Sequence, residues 1–469
     1  MTAPHVVVVG GGLAGLSAAI DCQDAGARVT LLEARPRLGG ATWSTRLRGL
    51  EVDNGQHVFL RCCRAYRAFL ERLGVSDRVF LQRRLAVPVL TPGRRASWIR
   101  SAPLPVPAHL APSLLRFGPL RPAARLRAAR TVRRLGALDL DDRALDDQRF
   151  GDWLRAQGES DAAIDGFWDL LIRPTLNLSA REASLAPAAM VFQTGLLTER
   201  DGADLGYSHI PLQQLHADPA AAVLRRGGAR IAVRSRVNAF EPATAARGPA
   251  VRADGERIAA DAVVMAVPHD AAARLLPTGG KLDPASLSGL GSSPIANLHV
   301  IFDRPVTALP FFAGLGTPLQ WVFDRSRAAG LERGQYLAVS LSAADELDGL
   351  SLESLRVRFL PAFQELLPGA REARVEDFFA TREPAATFRQ APGTRRLRPG
   401  PEVGIPGVYV AGAWTDTGWP ATMEGAVRSG TAAARAALAT LAGAGRAPAL
   451  LAAGPDLDPN DRSTACPWL

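Results

Sequence analysis

Little in these 469 residues points to a metal site, a disulfide framework or a bilayer span. The four cysteines, two of them the adjacent Cys62 and Cys63, have neither metal-ligand spacing nor the density of a secreted scaffold. Reduced thiols and a cytoplasmic location are the expectation. No apolar run approaches the ~20 residues that cross a bilayer, and the first residues run straight into a strand, which leaves no room for a signal peptide. Lysine is almost missing: among 55 basic residues, set against 46 acidic ones, only Lys281 is lysine. No recognition motif accompanies the arginines, so nucleic acid is not an expected partner. Acids are missing altogether between Arg94 and Arg134, where arginines alternate with Trp98, Ile99, Leu104, Val106, Leu110, Leu114, Leu115, Phe117 and Leu120. Such a stretch can lie on an anionic membrane, arginines at the headgroups and apolar side chains below, which here means the inner face of the plasma membrane. It can equally be a solvated cap segment whose leucines face the core.

With 47% hydrophobic and 22% charged residues, the chain can bury a large core in about two or three units. His5 to Val9 reads as a buried strand, Gly10-Gly11-Gly12-Leu13-Ala14-Gly15 as a tight turn and Leu16 to Ala25 as a helix. Gly10 permits the turn, Gly12 lets the backbone approach a pyrophosphate, and Gly15 lets the helix pack on the strand. Free amides and the positive helix end then face the anion. Glu33 ends a second strand, Arg28 to Leu32, where a carboxylate can accept hydrogen bonds from a ribose diol. Almost four hundred residues later, Val408 to Gly412 forms another short apolar strand and Met423-Glu424-Gly425-Ala426-Val427 begins another helix. A long cofactor clamped from both ends would need both pieces.

The continuation from Glu33 to Gly40, then Asp53-Asn54-Gly55-Gln56-His57 and Met423 to Gly430, resembles the flavin amine oxidase and carotenoid desaturase superfamily. Within it, three phrases resemble the hydroxysqualene dehydroxylases, FAD-dependent enzymes of squalene and hopanoid synthesis. They are Asp53 to His57, Phe167-Trp168-Asp169-Leu170-Leu171 with Thr175-Leu176-Asn177, and Thr415 to Ala426. The resemblance implies noncovalent FAD contacted by Gly10, Gly12, Leu13, Ala14, Gly15, Glu33, Ala34, Arg35, Arg37, Gly39, Gly40 and Ala41. It adds Gly55, Gln56, His57, Val237, Ala266, Gly412, Asp416, Met423, Glu424 and Ala426. Covalent attachment has no support, because no cysteine lies near the C-terminal signature in sequence. No metal is expected. Two departures stand out. Ala413 and Trp414 follow Gly412 where an acid is usual, leaving Asp416 to compensate, and Ala41-Thr42 follow Gly40 where arginine is usual, leaving Arg37 for the phosphates.

The expected fold is α/β and α+β: a discontinuous Rossmann-like FAD domain with an inserted substrate domain of mixed sheet and helical cap. The FAD domain is assigned to residues 1–82, 212–270 and 385–442, a helical cap to 83–211, a sheet with helices to 271–384, and a disordered tail to 443–469. The Pro-rich stretch from Pro88 to Pro107 should break regular structure. Helices are expected at Arg64–Leu73, Phe150–Ala156, Ala162–Ile172, Ala220–Arg226 and Leu352–Leu366, and Arg230–Val233 with Arg236–Glu241 as paired strands.

By resemblance, the reaction replaces the allylic hydroxyl of hydroxysqualene with hydrogen. The reduced flavin would deliver hydride from N5 to an allylic cation, with the proton for the departing hydroxyl supplied by a general acid. His57, on a strand, and Asp416 are the candidate acids, and Trp419 is the aromatic face for the cation. Each has a plainer reading, as a core or flavin hydrogen bond for His57 and a turn contact for Asp416. Asn177 and Tyr207 are weaker candidates from the cap, and Glu424 reads as a helix N-terminal residue. Implied partners are a long isoprenoid substrate, upstream squalene-forming prenyltransferase-like enzymes and an external electron donor. A carotenoid or phytoene-type desaturase, an amine oxidase and a non-catalytic flavin-binding partner of a prenyltransferase stay open as alternatives.

Overall fold

The computed structural model describes residues 3–445. Residues 446–469, most of the expected disordered tail, lie outside them. A five-stranded parallel sheet runs in the order Arg230–Val233, Arg28–Glu33, His5–Val9, Ala262–Met265, Val408–Val410. Its strands come from segments separated by up to four hundred residues, and both faces are covered. On one side Val6, Val8 and Leu31 pack against the first helix, Leu13–Asp24, and the last, Met423–Gly443. On the other side Val7, Val9, Val263 and Met265 pack against an antiparallel meander, Val237–Glu241, Ala250–Ala253 and Glu256–Ala259. Double coverage explains why these strands are continuous apolar runs rather than alternating ones.

Two glycines set the spacing of this layer. A Cβ on Gly15 would stand 1.8 Å from the Gly10 carbonyl oxygen, and one on Gly430 would stand 2.1 Å from that of Ala14. The first contact seats the first helix on its strand. The second brings the last helix backbone against the first, and the Ser17 hydroxyl donates to the Val427 carbonyl at 3.3 Å beside it.

A second, seven-stranded sheet runs Val375–Thr387, Ser293–Phe302, Gln335–Ser342, Trp321–Asp324, Phe311–Gly314, Ala86–Leu90, Ser97–Arg100. Helix Leu352–Leu366 covers one face through Leu355, Phe359 and Phe363, with Ser351 capping it by accepting from Ser354 N–H. A helical cap built around Phe150, Trp168 and Phe192 packs on part of the other face, against Val87, Val89, Phe311 and Phe323.

Several expectations are corrected. The Pro-rich segment gives two strands of this sheet instead of irregular chain. Pro88 is tolerated because the neighbouring strand, Phe311–Gly314, pairs only from Val89 onward, so no ladder bond needs a Pro88 donor. Arg230–Val233 and Val237–Glu241 are not paired with each other. The chain turns at Arg234 (φ 57°), Ser235 N–H binds the Glu33 carbonyl, and the two strands enter different sheets. The helix expected at Ala162–Ile172 runs on through a π turn at Ile164–Trp168 to Leu176, where Asn177 closes it in the left-handed conformation. His57 lies between strands Leu50–Asp53 and Val58–Leu60, not on one.

Candidate functional site

A cavity of about 1950 Å³ extends from the glycine turn to the helical cap. It is larger than the roughly 300–1,000 Å³ of an ordinary ligand pocket, so it has room for a dinucleotide and a second long molecule. Gly10, Gly12, Leu13, Ala14, Glu33, Ala34, Arg35, Gly39, Gly40, Ala41, Val237 and Ala266 line it, as do Gly55, Gln56, His57, Gly412, Trp419, Met423, Glu424 and Ala426. The remaining wall is mostly apolar, including Val106, Leu110, Leu114, Phe117, Phe167 and Met190.

The glycine turn is a cradle that side chains would fill. Gly40 lies so close to Gly12 that a Cβ on it would be 2.7 Å from the Gly12 Cα, and Gly39 N–H binds the Gly11 carbonyl at 2.8 Å. The Glu33 carboxylate accepts from the N–H of Gly11 and of Arg35, both at 2.7 Å, and so ties the turn to the end of its strand. The N-termini of the first and last helices both border this cavity. Their first-turn amides, without helical acceptors, suit a phosphate at one end and an anionic ring edge at the other. These residues fit a flavin dinucleotide.

Glu424 is buried and fully engaged. Its oxygens accept from Ala65 N–H at 3.1 Å, Tyr66 N–H at 2.7 Å and Arg428 Nε at 2.6 Å. It thus caps the helix Arg64–Arg72 and anchors it to the last helix, a structural role that leaves it unfit for catalysis. His57 places its ring on the cavity wall with Nδ1 3.2 Å from the Gly55 carbonyl. Burial pushes its pKa down, so the ring is neutral near pH 7 and suits hydrogen bonding better than proton donation. Behind it lies a buried ion pair, Arg325 to Asp53 at 2.8 Å.

Three residues expected at the cofactor do not line the cavity. Gly15 acts only through helix packing. Arg37 places its guanidinium 3.8 Å from the Trp43 ring centroid instead of reaching for phosphate; Arg35 and Arg236 line the cavity in its stead. Asp416 is exposed and accepts from Gly418 N–H at 3.2 Å, so neither proton donation nor a ribityl contact is open to it. The cause is Arg398, which sequence reasoning missed. Its guanidinium donates to the carbonyls of Ala413, Trp414, Thr415 and Trp419 at 2.5–3.3 Å, turning Trp419 inward and Asp416 outward. Burial lowers the Arg398 pKa to about 10, which still leaves it charged. Ala413 stands where the acid is usual, and beside it the Trp414 indole N–H donates to the Val267 carbonyl at 2.9 Å.

Other residues in or beside the cavity carried no sequence signal. Ser429 accepts from Gly412 N–H at 2.8 Å. Asn297, Thr387 and Glu383 enter from the second sheet. Asn177 satisfies backbone groups of Ser293 and Ala343, and Tyr207 packs among Phe80, Phe311 and Phe323 outside the main cavity. Cys62 and Cys63, remote from the C-terminal signature in sequence, do line the cavity. The Cys63 thiol is pushed well up by its hydrogen bond with Cys62 and by burial, so it stays protonated and unreactive. Among the described residues no cluster could hold a metal ion, and no helix is long and apolar enough to cross a membrane.

A family model described as flavin containing amine oxidoreductase matches residues 13–438. Hydroxysqualene dehydroxylase of Sinorhizobium fredii is 27% identical over 92% of this chain and 98% of its own length. A probable zeta-carotene desaturase of Synechococcus elongatus is 27% identical over 92% and 98%. Cyclohexylamine oxidase from Brevibacterium oxydans shares the fold, with a TM-score of 0.71 at 19% identity, covering 94% of this chain and 100% of that one.

Proposed function

The chain belongs to the flavin-containing amine oxidoreductase family, and on that premise we propose that it is a reductase that removes the allylic hydroxyl of hydroxysqualene, using noncovalent FAD. The observation that carries this reading is the single cavity that joins the glycine cradle to an apolar cap, together with hydroxysqualene dehydroxylase relatives along nearly the whole chain. FAD, when bound and reduced, supplies hydride. The protein's own part is to bind and orient. Gly12, Leu13 and Ala14 take the pyrophosphate, Glu33 the ribose, and Met423 with Ala426 the pyrimidine edge of the ring. Trp419 offers an aromatic face where positive charge develops. The apolar wall from Val106 to Met190 excludes water, so that an allylic cation meets hydride rather than hydroxide.

Substrate access gives the Arg94–Arg134 segment its role. Val106, Leu110 and Leu114 face the cavity while Leu104, Leu115 and Leu126 are exposed beside Arg116, Arg121 and Arg130. We place this face on the inner surface of the plasma membrane, where an isoprenoid made by an upstream prenyltransferase-like enzyme would partition. An external donor would reduce the flavin.

The zeta-carotene desaturase relative favours one rival, oxidation of a long polyene in the same cavity. Anaerobic incubation of the reduced protein with hydroxysqualene separates the two. Squalene is the expected product; no turnover, alongside oxidation of phytoene by the oxidised protein, would refute the proposal.

A further inference from the structure

Four carboxylates line the cavity, and three already pair with backbone amides or arginines. Glu33 takes two backbone amides, Glu424 takes two amides and an arginine, and Asp270 pairs with Arg274 at 3.0 Å. Glu383 is the fourth. On strand Val375–Thr387 it stands opposite Ile295, and both face the cavity, as does Asn297 two residues along. Its Oε1 accepts from two neutral donors, the Trp43 indole N–H and the Asn54 amide, each at 3.2 Å. Its Oε2 accepts no hydrogen bond from the described residues. Arg37 and His57 are the charged and titratable groups whose fields reach it.

We propose that Glu383 is the proton donor to the departing hydroxyl, an assignment that rests on the dehydroxylation reading above. Trp43 and Asn54 fix the carboxyl through Oε1, which leaves Oε2 to carry the acidic proton towards the substrate. The C–O bond breaks as the Oε2 proton passes to the leaving oxygen, releasing water. The carbon then gains hydride from a reduced flavin, which loses two electrons, and the carboxylate regains its proton from solvent. Asp416, outside the cavity, and His57, neutral through burial, do not compete for this role.

The test is Glu383→Gln, which keeps the side chain's shape and its Oε1 acceptor. Thermal stability, FAD affinity and the flavin spectral change on adding squalene should match wild type. Single-turnover dehydroxylation by the anaerobically reduced variant should fall by about 10²–10⁴. On the corresponding allylic acetate, whose leaving group departs without a proton, the two proteins should react at comparable rates. Equal rates on the alcohol overturn the assignment, and so does an equal loss on alcohol and acetate, which would make the role structural. A wild-type protein that leaves the alcohol untouched instead overturns the dehydroxylation reading and this assignment with it.

Discussion

Glu33→Ala removes a carboxylate that accepts from two backbone amides and, on the proposed function, also binds the ribose. Losing such charge-assisted bonds costs about 1.5–3 kcal/mol each, so FAD titration should show affinity weakened by roughly tenfold or more. Unchanged affinity would remove the ribose role. Two buried histidines set a pH response. His216 and His299, both lowered to about 3 by burial, stay neutral in the folded protein. In the unfolded chain they take up a proton near pH 6.5. Between those values the unfolded state binds more protons, so this contribution to stability is complete above about pH 7 and declines as pH falls from 6.5 towards 3. Tm measured across that window should drop steadily, and less steeply for His299→Gln. Single residues were also where sequence reasoning failed most. Asp416 and Trp419 sit three positions apart in one loop, and only Arg398, well upstream, decides which of them faces inward. Glu383 looks like any strand carboxylate until the pairing with Ile295 gives it a side.

At the level of elements, the contact between the first and last helices is the most exacting. A Cβ at Gly430 would meet backbone, the Ala14 carbonyl at 2.1 Å, and cannot be relieved by a side-chain rotation. Gly430→Ala should therefore cost about 1–3 kcal/mol, read as a lower Tm, and should weaken FAD binding in parallel because it moves both helix N-termini. Normal FAD affinity in a destabilised variant would show that the two termini need no precise spacing. The glycine turn and its helix were legible because their chemistry is local: a phosphate cradle demands glycine at fixed intervals. The membership of Ala86–Leu90 in the second sheet was not, since the tolerance of Pro88 depends on where a strand more than two hundred residues away begins to pair.

For the whole molecule, the proposed membrane face makes a distinct claim. The purified protein should co-sediment with vesicles containing anionic lipid, less so as salt is raised. Replacing Arg116, Arg121 and Arg130 by glutamate should abolish binding while leaving the FAD spectrum intact. Salt-insensitive or lipid-independent behaviour would assign those arginines to ordinary solvated surface. The architecture around them was readable from widely spaced apolar runs, whereas the shape of the cavity was not, because its walls come from both sheets and the cap at once.

The interlocking of residues 14 and 430 also has a consequence for biosynthesis. A ribosome that has released the first four hundred residues has made the glycine turn but not the helix that packs against the one behind it. On the proposed reading, capture of FAD waits for the Met423–Gly443 helix to emerge, and a chain truncated before that helix should be colourless when isolated.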